Sequence, residues 1–147
     1  MKAKVIVRIA ALLILVHLLG HTMGHFTWDT PEDTKMKQVV EAMKTHKADF
    51  MGAAKSMADY YTGYSLMILG LFAMSILLLW FISGFINDQR QIANRLLYPI
   101  GIVYILFGII EYLYFFPFAA SMSFIAGILY QIGRRLFHRG CNLADGF

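Results

Sequence analysis

The sequence predicts an all-α fold: a four-helix transmembrane bundle of up-down topology, with an amphipathic extracytoplasmic helix between the first and second spans. Three observations carry that prediction. Of 147 residues, 59% are hydrophobic and only 15% charged, and the mean hydropathy is +0.59, which is too apolar for an ordinary soluble domain. Four apolar runs, at about 5–26, 60–86, 96–116 and 118–137, each reach the roughly 20 residues needed to cross a hydrocarbon core. Basic residues collect in alternate connections, as they do in multi-pass inner-membrane proteins. Residues 1–147 therefore read as a single membrane domain.

The first run opens like a secretory signal, with Lys2 and Lys4 ahead of an apolar core. No small-x-small cleavage pattern follows it, however, and Arg8 and three histidines interrupt it, so the expectation is a retained helix. The segment 27–59 is the only sizeable stretch outside the membrane. Thr30-Pro31-Glu32-Asp33 reads as an N-cap, a proline in the first helical position and acids in the first turn, which predicts a helix starting at Pro31. Met36, Val40, Met43, Phe50, Ala54 and Met57 then recur at three- and four-residue spacing, the pattern of an amphipathic surface helix that could cap the bundle or close over it.

Charge sets the orientation. Lys2, Lys4 and Arg8, then Arg90 and Arg95, then Arg134, Arg135 and Arg139 mark the cytoplasmic side, whereas the connection at Pro117 is uncharged. Both termini are thus expected in the cytoplasm of a bacterial inner membrane. The net charge of +4 suits anionic headgroups, and nothing in the pattern points to nucleic acid. The lipid bilayer is the implied partner, with other membrane subunits or a homo-oligomer as the protein partners. The lone cysteine, Cys141, forms no internal disulfide.

The polar residues inside these runs carry the functional expectation. His17, His21 and His25 follow one another at four-residue steps, and each step drifts only about 40° around a helix, so the three rings share a face. Gly20 and Gly24 on that face have the spacing that admits a close helix neighbour. Counting from the outer end, His21 lies about 6 Å and His17 about 12 Å below His25, and Glu111 of the third run lies about 9 Å deep. Tyr104 and Gly108 share the face of Glu111, while Asp59, Tyr60, Tyr61 and Tyr64 gather at the same outer end. Imidazole and carboxylate are costly in lipid without partners, so these groups are expected to converge.

Imidazoles one turn apart can converge on one transition metal, and a carboxylate from another helix supplies a third ligand. His17, His21, His25 and Glu111 are therefore the candidate metal residues, supported by Asp59, Tyr61 and Tyr104, with zinc or iron as the ion. Whether such a site is enzymatic is left open. A b-type haem would draw one axial histidine from the first span, but no histidine lies in the other three. A competing reading uses the same residues as a structural hydrogen-bond network in a noncatalytic accessory or lipophilic-ligand-binding subunit of a membrane complex. A relay for protons or ions fits the residue types but lacks matching groups in the inner half of the membrane. The aromatic residues suit interfacial belts, and Ser65, Ser75, Ser83, Ser121 and Ser123 suit helix contacts. No nucleophile elbow or phosphate-cradling loop is present in the sequence.

The motif His17-x3-His21-x3-His25-Phe26-Thr27-Trp28-Asp29, followed by Asp49-Phe50-Met51-Gly52 and Tyr60-Tyr61-x-Gly63, resembles uncharacterised small bacterial four-helix inner-membrane proteins. The resemblance implies the fold and location but no reaction. The hydropathy profile resembles DoxX-like four-helix proteins in topology alone.

Overall fold

The computed structural model describes residues 2–141, with the side chains of Lys2, Phe50 and 134–141 outside the described set. The expectations resting on Arg134, Arg135, Arg139 and the Cys141 thiol therefore lie outside the described residues. Five helices are found among the described residues: α1 (Lys2–Thr27), α2 (Thr34–Thr45), α3 (Met57–Phe85), α4 (Arg90–Tyr114) and α5 (Pro117–Cys141). Three of them, α1, α3 and α4, are long and apolar enough to cross a membrane. In α5 the apolar stretch is shorter, covering 17 residues from Pro117 to Gly133. The α1, α3 and α4 helices turn large apolar side chains outward, among them Leu19, Met67, Phe81 and Leu113, each more than half exposed. Such surfaces are compatible with a membrane, where helices also satisfy every backbone group internally.

The chain divides into two compact units, one formed by residues up to His17 together with Phe72 onward, the other by Leu18–Leu71. In the first, the buried stripe of α1 runs Ala3, Val7, Ala10, Ile14, His17, and that of α4 runs Ala93, Leu97, Gly101, Tyr104, Gly108. Both stripes step by three and four residues, as a helix with one packed face must. The closest pairing is α4 with α5. It depends on missing side chains: a Cβ on Gly108 would meet Phe124 Cβ at 2.7 Å, and one on Gly127 would meet the Ile105 backbone nitrogen at 2.7 Å. Small residues drive helix association in membranes because close backbone approach maximises dispersion contact where no hydrophobic gain is available. Tyr104 and Tyr130 fill the interior with an edge-to-face pair at 5.9 Å. At the other end of α1, Arg8 donates from Nε to Ser83 Oγ at 3.3 Å and lies 4.6 Å over the Trp80 ring. The guanidinium is thus held by a hydroxyl and an aromatic face.

The second unit corrects the expected loop. The helix begins at Thr34, not Pro31, because Asp33 rather than Thr30 is its cap: Asp33 Oδ1 accepts from the Met36 amide at 2.9 Å. It stops at Thr45, and the stretch expected to continue it forms a hairpin of β1 (Lys47–Phe50) and β2 (Ala53–Ser56), Lys47 facing Ser56 and Phe50 facing Ala53. The fold is therefore helical with one small antiparallel ribbon. The turn explains the change: Met51 and Gly52 have φ of 53° and 83°, and Asp49 Oδ1 accepts from the Gly52 amide at 3.0 Å. Two left-handed residues with glycine second make a tight hairpin turn that a helix cannot accommodate. Phe50, Ala54 and Met57 thus occupy strands and the start of α3, and their spacing is no helical stripe.

Ser56 and Asp59 then cap α3 reciprocally, Asp59 Oδ2 accepting from the Ser56 amide at 2.9 Å and Ser56 Oγ from the Asp59 amide at 3.1 Å. Nearby, Lys44 Nζ donates to Asp29 Oδ2 at 2.9 Å, and this bond holds the Asp29 carboxyl below its ordinary range.

The α4–α5 seam makes a definite prediction. Gly127→Ala forces a methyl against backbone and is expected to lower stability by about 1–3 kcal/mol, read as a fall in melting temperature in detergent. Gly70→Ala, where a Cβ meets nothing within 4 Å, is expected to leave it unchanged.

Candidate functional site

The polar residues of the apolar helices settle into two separate sets of contacts. In the first unit, α1 carries His17 into the interior, where the residue is 6% exposed. Its Nδ1 shares a hydrogen bond of 3.1 Å with Ser123 Oγ of α5, and its Nε2 lies 3.6 Å from Glu111 Oε1 of α4. The imidazole thus has a hydroxyl at one ring nitrogen and a carboxylate at the other. Phe72 of α3 closes the remaining side with its ring 4.6 Å from the imidazole. One side chain of α1 therefore touches three other helices. Glu111 Oε2 is buried without a hydrogen-bond donor in range.

The second set lies in the other unit. Ser65 of α3, 5% exposed, places its Oγ 3.1 Å from His21 Nε2 and 2.9 Å from His25 Nδ1. The His21 nitrogen also lies 3.4 Å from the Ser65 carbonyl oxygen. A hydroxyl has one proton, so it donates to one ring and accepts from the other. Gly24, expected to meet a neighbouring helix, has nothing within 4 Å of its Cβ position. The close approaches involve glycines of α4 and α5 instead.

Of the predicted residues, the structure brings His17 to Glu111, and His21 and His25 to Ser65. Helix depth pairs Glu111 with His21, and the structure corrects this: the carboxylate meets His17, one turn deeper on α1. Beside that carboxylate, Ser123 of α5 offers His17 a hydroxyl. The supporting residues have contacts of their own. Asp59 is the cap of α3, Tyr61 packs against Trp28 with ring centroids 4.7 Å apart, and Tyr104 packs edge-on to Phe107 and Tyr130. Among the described residues, no three His, Cys, Asp or Glu side chains come together as a metal-ligating group. The serines matter more than the sequence indicated. Ser65 and Ser123 were expected only as helix contacts, yet they are the hydroxyls the histidines meet, whereas Ser121 bonds the Phe118 carbonyl of its own helix.

An apolar groove of about 450 Å³ lies beside the first set, lined by Gly108, Ile109, Tyr112, Leu113, Pro117 and Phe124 together with Ala120 and Ser121. It follows the α4 face on either side of Glu111 and the first turns of α5. No family model, curated protein or solved structure matches the chain.

The His17 contacts can be tested by coupling. His17→Ala and Ser123→Ala are each expected to destabilise the protein by about 1–2 kcal/mol, and the double variant by less than their sum. Thermal unfolding of the four proteins in one detergent measures the difference; strict additivity would show that the two side chains do not act on each other.

Proposed function

We propose that the chain is a four-span, up-down inner-membrane protein with cytoplasmic termini that serves as a noncatalytic, lipophilic-ligand-binding accessory subunit. The groove on α4 and α5 is the observation that carries this reading. Its volume falls in the range of small-ligand sites, its walls are almost entirely hydrocarbon and aromatic, and Ser121 and the Tyr112 phenol are its few polar groups. A single acyl or isoprenoid chain matches that lining. In this reading His17, Ser123 and Glu111 fasten the helices that form the groove. A buried imidazole with a hydroxyl and a carboxylate beside it resists helix separation in hydrocarbon, where no water replaces the lost contacts.

Topology supports the same assignment. The α5 helix contributes the fourth span, its apolar stretch of 17 residues reaching about 26 Å at 1.5 Å per residue, close to a hydrocarbon core. The α2 helix and the hairpin then lie outside the membrane on the extracytoplasmic side, with Arg90 and Arg95 on the cytoplasmic side.

Two measurements test the proposal. In a Cys141→Ser background, an impermeant maleimide reaching only the periplasm is expected to label a cysteine placed at Lys35 and not one at Asn87; the reverse pattern overturns the orientation. Mass spectrometry of the protein purified in mild detergent is expected to show retained lipid, and Ala120→Phe, which fills the groove, to remove most of it. Equal lipid retention by a folded Ala120→Phe protein overturns the groove as the binding site.

A further inference from the structure

The groove reading leaves His21 and His25 unused, and their geometry has a chemistry of its own. The two residues sit one turn apart on α1, and their Nε2 and Nδ1 atoms point at a single atom, Ser65 Oγ, from 3.1 and 2.9 Å. Ring nitrogens fixed around one point are most of what a transition ion requires, since a metal–imidazole bond is about 2.0–2.1 Å and small side-chain rotations close the difference. Oxygen donors are already in place. The Ser65 hydroxyl lies between the rings, and the Ser65 carbonyl is 3.4 Å from His21 Nε2.

Two further features favour a cation here. His25 stands in the last turn of α1, which ends at Thr27, where the negative end of the helix dipole favours a positive charge. Both histidines are only half-buried, which leaves room for water as a remaining ligand. A nucleophilic serine is the other use of such a pair, but Ser65 lies within α3, whose backbone N–H groups are engaged in the helix and form no oxyanion hole.

We infer that His21, His25 and Ser65 form a binding site for one divalent transition ion, copper(II) or zinc, with two imidazole nitrogens as its anchoring ligands. Neutral imidazoles suit both ions, and copper(II) binds the more tightly of the two by the usual order of divalent affinities. The site stands independently of the lipid groove, which involves none of its residues.

The test uses the full chain in nanodiscs, stripped with a chelator and titrated separately with copper(II) and zinc. One equivalent of saturable binding is expected, and the paramagnetic resonance spectrum of the copper form is expected to show coupling to two nitrogens. His21→Ala and His25→Ala are each expected to weaken binding by roughly tenfold or more, and His46→Ala, in the loop, to leave it unchanged. Should His21→Ala fail to fold, His21→Gln retains a hydrogen-bonding side chain at that position and is expected to show the same loss. Ser65→Ala, which keeps both nitrogens, is expected to retain the two-nitrogen signature. Absence of saturable binding by the folded chain, or binding that survives loss of both histidines, overturns the inference. Neither result bears on lipid retention in the groove.

Discussion

Hydrocarbon offers no hydrogen-bond partner, so a polar side chain on an apolar helix is stable only if another helix answers it. His17 shows how much follows from that requirement. Its imidazole meets Ser123 of α5, Glu111 of α4 and the Phe72 ring of α3, so a single side chain fixes the rotation of α1 relative to three other helical segments. Once α1 is set in this way, the stripe Ala3, Val7, Ala10, Ile14 must face inward and the large aliphatic residues are left on the outer surface. The remaining packing is dispersion between small residues, which is weak per contact but extensive where glycines let backbones touch. Arg8 applies the same logic to a cation, with Ser83 and Trp80 as its partners.

The apolar helices were legible in the sequence because hydropathy and length act over twenty residues and tolerate local error. The long helices α1, α3 and α4 fall where the runs placed them, apart from shifts of a few residues at most ends. The loop was less legible. Six apolar residues at helical spacing masked a hairpin because the deciding signal was two residues long: Met51 and Gly52 in left-handed conformation, stabilised by Asp49. Likewise, Ser56-x-x-Asp59 is a capping pair that marks the true start of α3, and it took Asp59 away from the site to which depth had assigned it. Short turn and cap chemistry outweighs periodicity at element ends.

The candidate site was legible in its inventory and not in its pairing. That histidines and Glu111 need partners follows from solvation alone. Which partner each finds depends on helix rotation and on hydroxyls whose sequence context is unremarkable. Serine carries no periodic signal of its own, yet Ser123 meets His17 beside the carboxylate and Ser65 meets His21 and His25. Helix depth, accurate to about one turn, selected His21 for Glu111 where the structure has His17.

The interlocked glycines of α4 and α5 bear on biogenesis. Only Phe115 and Phe116 separate the two helices. A pair joined so tightly and so close in sequence can form as one helical hairpin before distant helices join it. A bulky residue at Gly108 or Gly127 then burdens the folding chain as well as the finished protein, and its first visible effect is a lower yield of folded protein.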